Sequence, residues 1–492
     1  MNELPSLNEL TEQKPRQIAA QVLQRRTAGS DFVEDILESA LADAHLSPVD
    51  RGLCQELVYG VVRWQATLDW LIARKTTPGR TQKPMLQNLL RLGLYQIFWL
   101  DRIPPHAAVH ETVEQAKRAG YHSQAGLINA VLRAYLRETD EIRKILADMK
   151  ISQPALGWSH PEWLVEKWRA RFGDEKTRAL LEWNNTPPKT FARINTLKTD
   201  AAKLVERWRE ENVEYDFVTR DWTGENLAFE LKAHPPINSL GSFRDGWFYI
   251  QDPSTLLAPV LLGAKSGETI LDSCAAPGGK TTSIAQQMDD HGRIVACDLD
   301  PTRLRLVKDN CARLGVTCVE TQVSGLFRPH PDPLPQEREQ RMAGSGSSSG
   351  TVANLAQTFD KARQPFPPLP GGEGRGEGGQ IHILFDRILI DAPCSNTGVL
   401  RRRVDLRWRI SSEEISRLRK TQLDLLNQAA KQLRPAGVIV YSTCSLEPEE
   451  NSAVVKEFLA ANTSFTLETE RQLLPFVDGV DGAYVARLKP SA

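Results

Sequence analysis

The spacing of apolar residues changes along the chain, and the change separates two kinds of structure. From about residue 12 to 138, apolar positions recur three and four apart, as in Leu53, Leu57 and Val61 or Leu86, Leu90, Leu94 and Ile97. This period marks one helix face, and it predicts helices over 23–26, 34–41, 51–64, 84–99, 107–117 and 126–136. Beyond residue 268, short unbroken runs rich in β-branched residues take over. Glu268-Thr269-Ile270-Leu271-Asp272, Arg293-Ile294-Val295-Ala296-Cys297-Asp298, Ile388-Leu389-Ile390-Asp391 and Val438-Ile439-Val440-Tyr441 read as buried parallel strands. Between the last two, Ser411-Ser412-Glu413-Glu414 has the form of a capping box. Ile415, Leu418, Leu423, Leu426, Ala430 and Leu433 then keep a helical spacing up to Pro435 and Gly437. A crossover helix there makes its two flanking strands parallel and close.

The ends of these strands carry the candidate chemistry. Cys394 follows Asp391-Ala392-Pro393, and Cys444 follows Tyr441-Ser442-Thr443, about fifty residues later. In open α/β sheets ligands bind beyond the carboxyl ends of the strands, so both thiols are expected to open into one crevice. A lone free cysteine is ordinarily core filler; a pair at two adjacent strand ends suits chemistry better. The first run leads into Ser273-Cys274-Ala275-Ala276-Pro277-Gly278-Gly279-Lys280-Thr281-Thr282. Strand, glycine turn and helix start together form a place where backbone N–H groups meet an anionic or polar ligand. The turn is no Walker A loop, because Cys274 stands where its first glycine belongs, and Gly-x-Gly-x-x-Gly spacing is absent. Asp298 ends the next strand, where a carboxylate can accept hydrogen bonds from a ribose diol. A strand-ending Asp is equally a helix N-cap; the order of elements favours an adenosine cofactor without a phosphate tail, such as S-adenosylmethionine (AdoMet).

Two thiols suit methylation at carbon 5 of cytosine. That carbon is a poor nucleophile until a thiolate adds to C6, and a base must later remove the C5 proton so that the thiol can leave. Asp272-Ser273-Cys274-Ala275-Ala276-Pro277-Gly278-Gly279-Lys280-Thr281, Asp391-Ala392-Pro393-Cys394-Ser395-Asn396-Thr397-Gly398 and Ser442-Thr443-Cys444-Ser445 resemble the RNA cytosine-5 methyltransferases. The resemblance implies Cys444 as nucleophile and Cys394 as the residue that assists release. It also implies an AdoMet site built from Cys274, Ala275, Ala276, Pro277, Gly278, Gly279, Lys280 and Asp298, with Asp391 bridging cofactor and base.

The helical half narrows the substrate. Arg51-Gly52-Leu53, Leu92-Gly93-Leu94-Tyr95-Gln96, Ala107-Ala108-Val109-His110-Glu111 and Gly126-Leu127-Ile128-Asn129-Ala130-Val131-Leu132-Arg133 resemble the NusB-like RNA-binding domain. Fused to an RNA cytosine-5 methyltransferase, that domain gives the architecture of the bacterial 16S rRNA methyltransferase B family (Fmu/Sun). The resemblance implies 16S rRNA as partner, unassembled or partly assembled, and cytosine 967 as the target. Ser159-His160-Pro161, Arg193-Ile194-Asn195 and Gln251-Asp252-Pro253-Ser254 look like that family's motifs in a small α/β module. The expected fold is therefore multidomain: an all-α NusB-like bundle over 1–145, a small α/β module over 146–240, and a Rossmann-like methyltransferase domain over 241–492.

Composition adds little and excludes more. With 61 Lys+Arg against 62 Asp+Glu, net charge carries no nucleic-acid signal. Locally, Arg401-Arg402-Arg403 with Arg407, Trp408 and Arg409 lies beside the Cys394 loop, where it reads as a phosphate-binding and base-stacking surface. Arg63 and Lys117 read as solvated helix charges. No run is long enough to span a bilayer, and Met1-Asn2-Glu3-Leu4-Pro5 is not a signal peptide. Seven irregularly spaced cysteines form neither a disulfide framework nor a zinc pattern, so a reduced, cytoplasmic protein without metal is expected, with monomer as the default. Two other readings stay open: a P-loop ATPase, with Lys280 on phosphate and Asp391 as its acid, and a non-catalytic NusB-like RNA-binding factor with a decayed methyltransferase domain.

One stretch breaks the pattern. Residues 327–380 include Pro329-His330-Pro331-Asp332-Pro333-Leu334-Pro335 and Gly344-Ser345-Gly346-Ser347-Ser348-Ser349-Gly350, too poor in apolar side chains to offset the entropy of ordering them. This composition predicts a disordered insertion. Just before it, Ser324 stands where the resemblance implies an Asp that contacts the cofactor's adenosine. Weaker AdoMet binding is the expected result.

Overall fold

The computed structural model describes residues 14–76, 82–323 and 384–491; Ser324 and the insertion at 327–380 lie outside the described residues. Among the described residues, the N-terminal half is helical. Pro15–Ala28, Val33–Ala42, Pro48–Arg63, Gln65–Lys75, Pro84–Trp99, Pro105–Arg118, His122–Arg137 and Thr139–Ser152 follow one another through short connections. Ser47 caps the third of them by accepting from the Asp50 amide at 3.1 Å, ahead of a proline at the first turn. The sequence reading omitted Gln65–Lys75 and Thr139–Ser152. Both nonetheless bury residues at helical spacing: Leu68, Leu71 and Ile72 in one, Ile142, Leu146 and Met149 in the other.

A four-stranded antiparallel sheet follows, ordered β2-β3-β1-β4, with β1 Thr190–Ile194, β2 Glu214–Phe217, β3 Ala228–Ala233 and β4 Phe248–Ile250. The helix Ala201–Glu210, capped by Asp200, drives Trp208 against Phe229 and Phe248 to make its core. The Arg193-Ile194-Asn195 motif docks this sheet onto the larger one. Asn195 donates to the carbonyls of Gly246 and Leu314 at 2.8 and 2.7 Å, while buried Arg193 donates to the Gly279 carbonyl at 2.7 Å and to Thr282 Oγ1 at 2.9 Å.

The larger sheet has seven strands in the order β10-β11-β9-β8-β5-β6-β7. These are β5 Thr269–Asp272, β6 Arg293–Asp298, β7 Val319–Val323, β8 Phe385–Asp391, β9 Leu433–Thr443, β10 Phe465–Leu473 and β11 Ala483–Pro490. The five strands β5 to β9 are parallel, β11 runs antiparallel against β9, and β7 closes one edge. Near-continuous burial of β5, β6, β8 and β9 agrees with helices covering both faces. The crossover helix is Ser412–Ala430, with Ser411 accepting from the Glu414 amide. It stops three residues short of the sequence expectation because Leu433 already pairs with Phe385 as the start of β9. The sheet order reverses at β5, so the carboxyl ends of β5, β6, β8 and β9 surround one crevice.

The arginine-rich segment corrects the sequence reading. Most of its side chains are engaged within the protein, Arg407, Trp408 and Arg409 against the helical bundle and Arg401 and Arg402 against two buried aspartates. Arg407 is fully buried and donates to the carbonyls of Arg63, Ser159 and Asn184 and to Asn185 Oδ1, at 2.8–3.3 Å. The Trp408 indole donates to the Val62 carbonyl at 2.8 Å, so it is not free to stack on a base. Arg401 and Arg402 both pair with Asp252 and Asp481, and Arg409 pairs with Asp405, which also holds Arg26 at 2.7 Å. Only Arg403 of the five is exposed. Arg63, expected to be solvated, is buried at the same junction. Leu400, Val404, Ile410 and Ile415 join the apolar core of the bundle, which is why a charged run sits here: its arginines fix a seam between two cores.

Candidate functional site

The crevice begins with the turn after β5. Gly278 has φ +103 and heads the helix Gly279–Gln287, and a Cβ there would lie 3.3 Å from the Val307 backbone. The Ala276 amide donates to Asp298 Oδ2 at 3.3 Å, and the Asp300 amide to Oδ1 at 3.1 Å, so the β6 carboxylate ties the turn to the next loop. Beside it Leu299 and Val323 are exposed, and Val323 is the register partner of Asp298 across β6 and β7. An acidic group next to exposed apolar side chains suits a ligand with a diol at one end and a flat ring at the other.

Lys280 projects from the first turn of the helix to Asp391 at the end of β8, with Nζ 2.6 Å from Oδ2. Ser442 Oγ donates to the other carboxylate oxygen at 2.9 Å, in register with Asp391 across β8 and β9. Burial alone would pull the Lys280 ammonium down, but the Asp391 carboxylate overrides it and holds the group above its ordinary value. Behind them Asp272 is fully buried, accepts from Thr281 Oγ1 at 2.7 Å, and leaves its Oδ1 without a partner. Burial pushes its carboxyl up to about 7, against the lowering effect of Thr281. Burial also raises the half-buried Cys274 thiol, which is therefore no ready nucleophile.

The two strand-end thiols meet. Cys394 Sγ and Cys444 Sγ lie 3.4 Å apart. Cys394 is buried, and its hydrogen bond with Cys444 together with burial holds its thiol well above the ordinary value. Cys444 is half-buried and donates to Asn396 Oδ1 at 2.7 Å; the Asn396 amide nitrogen donates to the Cys394 carbonyl at 2.7 Å. Gly398 packs directly on the Cys444 backbone: its amide donates to the Cys444 carbonyl at 2.9 Å, and a Cβ would come within 2.7 Å of that oxygen. The sequence thus folds two loops from neighbouring parallel strands against each other, one offering a half-buried thiol and the other a covered one.

Comparison with known proteins fits this geometry. Residues 13–137 match the NusB family, 160–221 match the Methyltr_RsmF/B-like ferredoxin-like domain, and 259–331 with 372–489 match the 16S rRNA methyltransferase RsmB/F family. The chain is 31% identical to the probable ribosomal RNA small subunit methyltransferase B of Bacillus subtilis (strain 168), over 96% of this chain and 98% of that one. It is 33% identical to the protein of the same description from Synechocystis sp. (strain ATCC 27184 / PCC 6803 / Kazusa), over 96% and 99%. The chain belongs to the ribosomal RNA small subunit methyltransferase B family. Among solved structures, the methyltransferase homolog protein from Pyrococcus horikoshii superposes with a TM-score of 0.51 at 27% identity, covering 68% of this chain and 97% of that one.

For a member of this methyltransferase family, the structure gathers Cys274 to Lys280, Asp298, Asp391, Cys394 and Cys444 at the carboxyl ends of four adjacent strands. Sequence reasoning missed Asn396, Ser442 and Glu450. Ser442 was findable, since it aligns with Asp391 once the strands are known to be parallel. Glu450 sits in Pro448-Glu449-Glu450-Asn451, which reads as an exposed acidic turn, yet it is fully buried behind both cysteine loops. Among the described residues no His, Cys, Asp and Glu cluster could hold a metal ion, and no helix is long and apolar enough to cross a membrane.

Proposed function

We propose that this chain methylates carbon 5 of a cytosine in 16S rRNA, with AdoMet as donor and a covalent bond between Cys444 and C6 as intermediate. Family membership carries the coarser statement: the chain is an rRNA small subunit methyltransferase. The observation that carries the finer reading is the 3.4 Å approach of two thiols at the ends of neighbouring strands, beside the Lys280–Asp391 pair. One thiol would serve for a simple nucleophile; two within contact distance suit a reaction that both adds and later eliminates a sulfur.

The residues around the turn after β5 fit AdoMet. In this reading Asp298 takes the ribose hydroxyls, Leu299 and Val323 flank the adenine ring, and the Cys274–Lys280 stretch takes the amino-acid end, which the exposed apolar side chains beside the Asp298 carboxylate support. Bound there, the cofactor supplies an electrophilic methyl group. Cys444, the more exposed thiol, adds as thiolate to C6 of a cytosine unstacked from its RNA, which makes C5 nucleophilic. In this reading Asp391, fixed by Lys280 and Ser442, hydrogen-bonds the base and holds C5 in line. Once Cys444 is bonded to C6 its charge no longer opposes ionisation of Cys394, which as thiolate takes the C5 proton, and the electron pair left behind expels the Cys444 sulfur. The target carried over from the family resemblance is cytosine 967 on unassembled or partly assembled small-subunit rRNA, and the cytoplasm is the matching compartment.

Incubating Cys394→Ala and Cys444→Ala proteins with AdoMet and small-subunit rRNA tests the assignment. An RNA-linked band on a denaturing gel is expected only for Cys394→Ala. A band only for Cys444→Ala would exchange the two roles. No band in either variant, with no methyl transfer by wild type, would leave an RNA-binding factor.

A further inference from the structure

Glu450 has no role in the chemistry above, yet it touches both loops that carry the thiols. Its side chain is fully buried. Oε1 accepts from the Ser395 amide at 2.8 Å and from Gln422 Nε2 at 3.2 Å. Oε2 accepts from the hydroxyls of both Ser395 and Ser445. Ser395 follows Cys394 and Ser445 follows Cys444, and their two hydroxyls lie 3.1 Å apart. Asn451 extends the grip, accepting from Thr443 Oγ1 and donating to the Ser445 carbonyl at 2.9 Å, so Cys444 is held from both flanks.

This is an unusual use of a buried carboxylate. Among the described ion pairs none includes Glu450, so no cation offsets its burial. Burial raises its carboxyl above the ordinary range, and the hydrogen bonds from Ser395, Ser445 and Gln422 counter that effect. A group this costly to bury is justified only by the bonds it makes, and those bonds run to the two residues adjoining the thiols. Strand pairing reaches Asp391 and Thr443, and one backbone bond, from the Gly398 amide to the Cys444 carbonyl, crosses between the loops beyond it; the residues adjoining the sulfurs are otherwise held by side chains.

We propose that Glu450 is the positioning residue that sets the gap between Cys394 and Cys444 by tying the loop of one to the loop of the other. The inference rests on the reading of these thiols as the working pair. It predicts that the spacing of the sulfurs, and with it the elimination step, collapses when the tether is cut.

Phenylarsine oxide measures this without RNA, because trivalent arsenic forms two As–S bonds to neighbouring thiols and releases its oxygen as water. Wild type is expected to carry the arsenical across Cys394 and Cys444, located by peptide mass. Glu450→Ala should bridge far more slowly, and its kcat for methyl transfer should fall on the order of a hundredfold with KM for AdoMet unchanged. Glu450→Gln should restore both, since an amide can accept from the Ser395 amide and donate to the two hydroxyls. If Glu450→Ala does not fold, Ser395→Ala combined with Ser445→Ala cuts the same tether from the other side and should give the same losses. Wild-type bridging and kcat in either tether-cut protein would overturn the proposal, as would a Glu450→Gln protein no better than Glu450→Ala. Failure of wild type to bridge would overturn it too. A wild type that bridges the arsenical but transfers no methyl group would instead sink the reading of the function and leave the tether standing.

Discussion

Residues 394–398 and 401–409 are neighbours in sequence and opposites in environment. The first stretch turns toward the crevice, where the Glu450 carboxyl lies buried without a cation. The second turns away, where Arg407 lies buried as a cation without an anion, held by three backbone carbonyls and one side-chain amide. Burial and neighbouring Arg63 pull the Arg407 guanidinium well below its ordinary value. Both groups bond only to neutral partners, with Arg407 Nε left without any, but the partners differ in kind. Arg407 bonds to atoms of the bundle and its following helices, so it measures how well two cores fit. Glu450 bonds to groups adjoining the reactive sulfurs, so it measures how well a site is set. A charge run beside an active crevice therefore says little about ligand binding until its partners are known.

Removing Arg407 breaks this comparison most forcefully. Arg407→Ala leaves several buried acceptors unpaired and opens space at the seam, with an expected cost of about 3–5 kcal/mol. Chemical denaturation should show the loss, while the salt dependence of rRNA binding per folded molecule stays as in wild type. A changed salt slope with unchanged stability would return the segment to the RNA surface.

Asp272 gives a smaller effect with a definite sign. Its carboxyl is raised in the folded protein to about 7 from 3.8, so the folded state is penalised as pH rises through that window and the penalty is complete above it. Below about pH 4 both states hold the proton and the penalty vanishes. Asp272→Asn, which cannot ionise, should gain stability relative to wild type between pH 5 and pH 8, by at most on the order of 4 kcal/mol. Melting curves of the cofactor-free proteins across that range check it; a constant difference would mean that Asp272 is ionised throughout.

The smallest effect concerns the residue the sequence alone singles out. Ser324→Asp should tighten AdoMet binding by about 1 kcal/mol, the worth of one hydrogen bond. Titration calorimetry reads it directly, and no gain would mean that the position does not face the cofactor.

The parts legible in the sequence were those set by short-range pattern. Unbroken runs such as Ile388 to Asp391 identified β8, and the serine cap with its apolar spacing identified the helix between β8 and β9. From those two elements the meeting of Cys394 and Cys444 followed, because a crossover helix leaves adjacent parallel strands. What stayed hidden depends on which surface a side chain meets. Arg401 looks like any exposed arginine until Asp252 and Asp481, 149 and 80 positions away, close on it. Glu450 differs from half-buried Glu449 by one position in a turn, and only the packed loops decide which of them is fully covered.

The place of β7 has a consequence for how this gene can change. β7 is the outermost strand, and the chain leaving it must cross to β8 on the far side of β5. Sixty residues, 324–383, span that interval. Lengthening a connection that already bridges two halves of a sheet adds closure entropy only logarithmically, about 0.6 kcal/mol for each doubling. A frame-preserving DNA insertion at this junction therefore costs folding little. The same topology that gathers the chemistry into four strand ends leaves the interval between β7 and β8 free to lengthen.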